Sequence, residues 1–154
     1  MKTDLKKIIF VDRDGTIVFE PNDFQVDALE KINFVPDVIA SLFQLRQKGY
    51  SLVMVTNQDG LGTDFFPEEN FIESQKFIEK LLNSQGVIFD EVLICPHFEK
   101  DGCDCRKPLT GMVTKFLVNT NIDKERSYVI GDRDTDMQFA KNLGIEGFQI
   151  DPYK

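Results

Sequence analysis

Two aspartates one residue apart, Asp12 and Asp14, close the segment Phe10-Val11-Asp12-Arg13-Asp14-Gly15-Thr16. The apolar run Ile8–Val11 before them reads as a short buried strand. Residues i and i+2 share one face of a strand, so both carboxylates can converge beyond its carboxyl end. Like charges placed so close are costly unless a cation or a reaction uses them. Gly15 permits a tight turn, and the N–H groups after it can cradle an anion. Residue types and spacing together point to a divalent metal and a phosphate. An Asp-Gly turn after an edge strand is the plainer reading of the same residues.

A second cluster, Cys95-Pro96-His97 … Cys103-Asp104-Cys105, gathers all three cysteines and the only histidine of the chain into eleven residues. C-x-H and C-x-C spacing supplies four soft ligands for a tetrahedral structural zinc. An odd cysteine count argues against a disulfide, and Gly, Asp and Lys neighbours argue against scattered buried thiols. With four protein ligands such a site is closed, so its role is structural, holding the loop that carries Arg106 and Lys107. If His97 is spent on zinc, no histidine remains for proton transfer. That task falls to a carboxylate, and Asp14 is best placed for it.

Two weaker signals follow. Pro108 reads as the first residue of a helix, leaving Lys107 beside a helix N-terminus where an anion is favoured; a solvated lysine is the bland alternative. Gly131-Asp132-Arg133-Asp134-Thr135-Asp136 sets carboxylates on a strand-to-helix turn, which an ordinary acidic first turn would also explain.

The elements that must position these groups are legible as alternating runs. Apolar strands are expected at Ile8–Val11, Ser51–Val55, Glu91–Ile94, Tyr128–Ile130 and Gly147–Ile150, without polar alternation, as in parallel strands covered on both faces. Helical stripes separate them: Val38, Leu42 and Leu45 up to Gly49; Phe71, Gln75, Ile78 and Leu82 up to Gly86; Met112, Val113, Phe116 and Leu117 after Pro108; Met137, Ala140 and Leu143 up to Gly144. The alternation predicts an α/β fold, a doubly wound, Rossmann-like parallel sheet of about five strands with helices on both faces and right-handed crossovers. A ligand then binds beyond the carboxyl ends of the strands, where Asp12, Thr56 and Asp132 all fall. The weakly periodic stretch Val18–Val35 reads as a flap over the site.

The 154 residues are expected to form one domain, 1–154. The apolar share of 42% excludes a disordered chain, and the net charge of −8 disfavours nucleic acid and anionic membrane as partners. Lys2, Lys6 and Lys7 precede only four apolar residues, too few for a signal peptide or a spanning helix, so a cytoplasmic location is expected.

Asp12-x-Asp14-Gly-Thr16, Thr56 at the end of the second strand, Lys107 and Gly131-Asp132-x-x-x-Asp136 resemble, in order and placement, the motifs of the haloacid dehalogenase superfamily of aspartate-nucleophile phosphatases. The Cys-x-His … Cys-x-Cys loop is similar to that of its zinc-bearing branch, which acts on histidinol phosphate and heptose bisphosphates. Glu20 to Asp27, Thr56 to Thr63, Val92 to His97 and the five-residue gap before Cys103 look closest to the histidinol-phosphate enzymes.

The resemblance implies Asp12 as nucleophile and Asp14 as general acid and base. It implies Mg²⁺ held by Asp12, Asp132 and the Asp14 carbonyl, with Asp136 orienting that shell. Thr56, the Asn57 backbone and Lys107 would bind phosphate, and Cys95, His97, Cys103 and Cys105 would hold Zn²⁺. No cap domain interrupts the motifs, so selection of a small phosphomonoester falls to the flap, Gln58–Phe66 and the zinc loop, with Glu20, Asp23, Gln25 and Gln58 as substrate-binding candidates. Relatives of this kind are found fused to an imidazoleglycerol-phosphate dehydratase, so a fused dehydratase domain or a homo-oligomer are the partners expected.

Overall fold

The computed structural model describes residues 4–154, which leaves Lys2 outside the described residues. Strand β1, Ile8–Val11, lies at the centre of a five-stranded, all-parallel sheet. Helix α1 (Val38–Gln47) leads to β2 (Ser51–Asn57), α2 (Glu68–Ser84) to β3 (Glu91–Cys95), α3 (Gly111–Phe116) to β4 (Tyr128–Gly131), and α4 (Asp134–Leu143) to β5 (Glu146–Gln149). The strand order β3-β2-β1-β4-β5 places the switch in winding direction at β1, between β2 and β4. Such a switch opens a crevice at the carboxyl ends of the strands.

Alternation along the strands divides the core in two. Ile9, Val11, Leu52 and Met54 pack with Leu42 of α1 and Ile78 and Leu82 of α2. Ile8, Phe10, Val53, Val55 and Val129 pack with Val113 of α3 and Phe139 and Ala140 of α4. The helices therefore cover both faces, as the uninterrupted apolar runs require.

Several boundaries differ from those expected, β4 and β5 by single residues at their ends. β2 runs two residues beyond Val55, so Thr56 and Asn57 lie within the ladder opposite Ile94 and Cys95. Cys95 thereby belongs to β3 itself. The last strand begins one residue early and is largely exposed, with Phe148 48% accessible, because a strand at a sheet edge has only one neighbour. Pro108 does not start a helix. Leu109 N–H donates to Arg106 O at 2.9 Å and Gly111 N–H to Asp104 O at 2.8 Å. These turns occupy 104–111, so α3 opens only at Gly111 and is short, ending in a single tight turn at Leu117–Asn119.

The Val18–Val35 stretch is a looped excursion with paired legs. Phe19 N–H donates to Asn33 O and Val35 N–H to Ile17 O, at 2.8 and 2.9 Å. Val26 is fully buried beneath it, and Lys31 ties it together through Asp23 and Asp27, at 2.7 and 2.6 Å. Among the described residues no helix is long and apolar enough to cross a membrane.

Candidate functional site

The ends of β1 and β4 are registered by Asp12 N–H donating to Ile130 O at 3.0 Å. Asp132 follows β4 directly, and Asp136 lies one turn on, in α4. Carboxylate oxygens of Asp12, Asp132 and Asp136 all lie within 4.8 Å of one another. Two glycines make that approach possible. Gly15 holds φ at +86°, a left-handed conformation glycine adopts freely, and a Cβ there would collide with the Asp132 carboxylate. A Cβ at Gly131 would collide with that of Asp136.

Lys107 is inserted among these groups, only 4% exposed, with Nζ 2.9 Å from Asp12 Oδ1 and 2.8 Å from Asp136 Oδ1. Burial pushes the Asp12 carboxyl well above its ordinary range, with the Lys107 ammonium opposing. For Lys107 burial favours the neutral amine, but the carboxylates of Asp12 and Asp136 outweigh it and hold the ammonium above its usual value.

One ammonium among three carboxylates leaves negative charge in surplus, and Asp132 Oδ1 is buried without a partner. Oxygen donors clustered in this way suit a hard divalent cation such as Mg²⁺. Asp136 is less free to ligate: its Oδ1 accepts from Lys107, and its Oδ2 accepts the Arg133 N–H at 3.3 Å.

Asp14 is held by both oxygens. Oδ1 accepts from Arg13 Nη1 at 2.8 Å and Oδ2 from Gln58 Nε2 at 2.9 Å. Gln58 also donates to Thr56 Oγ1 at 2.9 Å, is 2% exposed and lines neither of the two cavities at this rim. The structure thus corrects the expectation that Gln58 meets substrate: it faces the acids from behind. Asn57 uses its side chain as a clamp, Oδ1 accepting from Lys107 N and Nδ2 donating to Lys107 O, at 3.0 and 3.2 Å. Lys107 is therefore placed by this clamp and by the loop that carries it, and not by a helix starting at Pro108.

Asp12, Asp14, Thr56, Asn57, Lys107 and Asp136 enclose a small cavity of about 40 Å³, which Thr135 also lines. At roughly 10–15 Å³ per water-sized sphere, it admits about three oxygens, the complement of a phosphoryl group. A larger cavity of about 290 Å³ adjoins it, walled by Phe24, Phe65 and Phe98 and by Asp23, Gln25, Asp59 and Arg106. Glu20, Asn57 and Arg133 line both cavities and so stand at their junction. Glu20 and Arg133 form an ion pair there; burial pushes the Glu20 carboxyl up, with the arginine opposing. Arg133, Phe65 and Phe98 line the cavity without belonging to any of the sequence's candidate binding residues. Arg133 carries a signal, being the one cation among the three acids of its turn.

The four expected zinc ligands come together at the end of β3. Cys95 Sγ is 3.7 Å from Cys103 Sγ and 2.9 Å from Cys105 Sγ, and His97 Nδ1 is 3.5 and 3.3 Å from Cys95 and Cys105 Sγ. All three thiols are free. Bonds of about 2.3 Å to a tetrahedral ion imply sulfur–sulfur edges near 3.8 Å, which this cluster reaches with a small expansion at Cys105. Burial pushes the Cys95 thiol far up, a cost that a bound cation removes by favouring the thiolate.

Residues 7–151 match the family described as polynucleotide kinase 3 phosphatase. The chain belongs to that family. The chain is 55% identical over 145 residues to the histidine biosynthesis bifunctional protein HisB of Buchnera aphidicola subsp. Schizaphis graminum, covering 94% of this chain and 41% of that protein. It is 54% identical to HisB of Legionella pneumophila (strain Lens), over 95% of this chain and 42% of that protein. The chain thus spans about two fifths of the length of these curated relatives. Among solved structures, D,D-heptose 1,7-bisphosphate phosphatase from B. bronchiseptica, complexed with magnesium and phosphate, superposes with a TM-score of 0.84. That match is 29% identical and covers 93% of this chain and 79% of the other. Fold and family bear out the resemblance to haloacid-dehalogenase-type phosphatases.

Proposed function

We propose that this chain is a Mg²⁺-dependent phosphomonoesterase that hydrolyses L-histidinol phosphate to L-histidinol and phosphate, in cytoplasmic histidine biosynthesis, as the phosphatase part of a protein that also carries a dehydratase. The observation that carries the reading is the buried Asp12–Lys107 pair, 2.9 Å apart, at the floor of a phosphoryl-sized cavity that opens into an acid- and phenyl-walled one.

In this reading an Asp12 oxygen bonds to phosphorus as the ester P–O bond breaks, and Asp14 gives the departing alkoxide its proton. Water then attacks the aspartyl-phosphate, Asp14 takes the water's proton, and the P–O bond to Asp12 breaks to release phosphate. The Lys107 ammonium has three donors, two of them spent on Asp12 and Asp136, and the third is left for a phosphoryl oxygen. Thr56 Oγ1 and the Asn57 N–H receive the others. Mg²⁺, held by Asp12, Asp132 and the Asp14 carbonyl with Asp136 steadying the shell, supplies charge neutralisation to the phosphoryl oxygens. Zn²⁺ on Cys95, His97, Cys103 and Cys105 keeps the loop before Lys107 in shape.

Histidinol phosphate carries an ammonium and an imidazole. Phe24, Phe65 and Phe98 offer ring faces to such a cation, in a cavity whose carboxylates Glu20, Asp23 and Asp59 are paired with Arg133, Lys31 and Arg106. The heptose bisphosphate reading is supported by the 0.84 TM-score. Its second phosphate, however, would need Arg106 or Arg133, each already paired, with Asp59 and Glu20. Phosphate release with Mg²⁺ from the two esters, measured side by side, decides. A large preference for histidinol phosphate is expected; preference for the heptose ester overturns the substrate assignment, and release from neither overturns the enzyme assignment.

A further inference from the structure

Arg13 is the largest fully buried side chain in the molecule, 0% exposed. A guanidinium removed from water is costly unless its charge is answered. Its one ion pair is with Asp14, Nη1 to Oδ1 at 2.8 Å, while Nε and Nη2 find no acceptor among the described residues. The Phe71 ring of α2 lies against it, 5.0 Å from Cζ to the ring centroid. A residue needed only to fill that space would serve better as an apolar one. The charge is spent on Asp14.

Gln58 completes the arrangement from the other side, with Nε2 2.9 Å from Asp14 Oδ2 and equally from Thr56 Oγ1. Each carboxylate oxygen thus accepts one fixed donor, and the carboxyl plane cannot turn about its terminal torsion without losing both bonds. A carboxylate has about four lone-pair sites. With one on each oxygen fixed, the remaining two have set directions, and Asp14 lines the phosphoryl-sized cavity. We propose that Arg13 is a positioning residue: with Gln58 it locks the Asp14 carboxyl in the orientation that delivers a proton to the leaving oxygen. The inference rests on the phosphatase reading above and concerns the step in which the ester P–O bond breaks, the Asp12–phosphorus bond forms and the Asp14 proton passes to the alkoxide.

The test separates positioning from support of the fold by the leaving group. An alkyl ester such as histidinol phosphate needs that proton, whereas 4-nitrophenyl phosphate departs as a stabilised phenolate without it. The quantity to compare is kcat/KM for the two esters, which reports events up to the first P–O cleavage and is blind to the later hydrolysis of the aspartyl-phosphate. For Arg13→Met, kcat/KM on the alkyl ester should fall on the order of 10²-fold, the low end of what a positioned acid contributes. On the aryl ester it should stay within a few-fold. Arg13→Lys keeps the buried charge and one donor, so it is carried alongside as the variant that retains the fold; it should show the same selective loss at smaller size. Equal losses on both esters, or an unchanged ratio in either variant, overturn the inference while leaving the phosphatase reading intact. Wild-type protein inactive on both esters overturns the phosphatase reading, and this inference with it.

Discussion

At the scale of single residues the site is a problem of charge placement. Asp12 is buried, and its carboxyl is pushed up by that burial against the opposing pull of Lys107. Replacing Asp12 by Asn keeps the shape and removes the oxygen that would attack phosphorus. Phosphate release should fall on the order of 10⁴-fold or more, as for loss of a covalent nucleophile, with the far-ultraviolet circular dichroism unchanged. Retained turnover in Asp12→Asn would show that another group attacks. The sign of the stability effect also follows. A carboxyl raised in the folded state contributes stability below its unfolded pKa and loses it as pH rises through the folded value. Asp12 therefore costs the metal-free fold stability as pH rises above the ordinary carboxylate range, and the neutral amide should lessen the fall of the thermal midpoint over that interval. Gly15 is a second sharp case. At φ +86°, with Asp132 against its α-carbon, Gly15→Ala meets both backbone strain and a collision. The cost should be about 1–3 kcal/mol, a fall of roughly 2–10 °C in midpoint for a domain of this size, and activity should drop further because Asp132 is displaced.

At the scale of elements, the zinc loop is fastened to the end of β2 along its length. Gln58 N–H donates to Cys95 O and Gly60 N–H to Pro96 O, at 2.8 and 2.9 Å. Arg106 grips Asp59 through two bonds of 3.1 Å, and Asn57 clamps the Lys107 backbone. If zinc fills the cluster, its removal unsettles Lys107 at a distance. Metal analysis should find one zinc per chain. Cys103→Ser, or prolonged chelation, should lower the thermal midpoint and raise KM more than it lowers kcat, because in the proposed reaction Lys107 binds phosphate. A zinc-free protein with unchanged KM would contradict this coupling.

Much of this layout was legible in the sequence. The uninterrupted apolar run Ile8-Ile9-Phe10-Val11 marks a strand covered on both faces, the 3.6-residue stripe Phe71, Gln75, Ile78, Leu82 marks a helix, and the Cys/His cluster declares itself by type and spacing. Pro108 misled because local preference for a helix start yielded to the turns that bind Gly111 to Asp104. Gln58 misled because nothing in a linear chain shows that a polar residue after β2 turns inward to meet Asp14. Arg133 and the rings Phe65 and Phe98 were hidden for a related reason: the cavity they line is formed by four segments distant in sequence, and no periodicity records it.

At the scale of the whole molecule, the family's name and this chain's charge pull in different directions. A phosphatase acting on polynucleotide ends would meet a polyanion, and such enzymes ordinarily gain affinity from Lys and Arg spread along a basic surface. This chain carries 18 Lys and Arg against 26 Asp and Glu. The cations nearest the reacting centre are already committed, Lys107 to Asp12 and Asp136, Arg133 to Glu20 and Arg106 to Asp59. The larger cavity, about 290 Å³, suits one small side group and not a strand. A 3′-phosphorylated oligodeoxynucleotide should therefore be a poor substrate, with kcat/KM at least about 100-fold below that for histidinol phosphate. Its salt dependence should also have the unusual sign. The Debye length shortens from about 30 Å at 0.01 M salt to about 10 Å at 0.1 M, so the repulsion between the acidic protein and the strand weakens, and the little activity there is should rise. For a protein that binds nucleic acid through phosphate contacts, added salt lowers affinity steeply. Comparable rates on the two substrates, with the oligonucleotide rate falling as salt is added, would mean that a basic path to the site exists despite the net charge, and the small-substrate reading would have to give way.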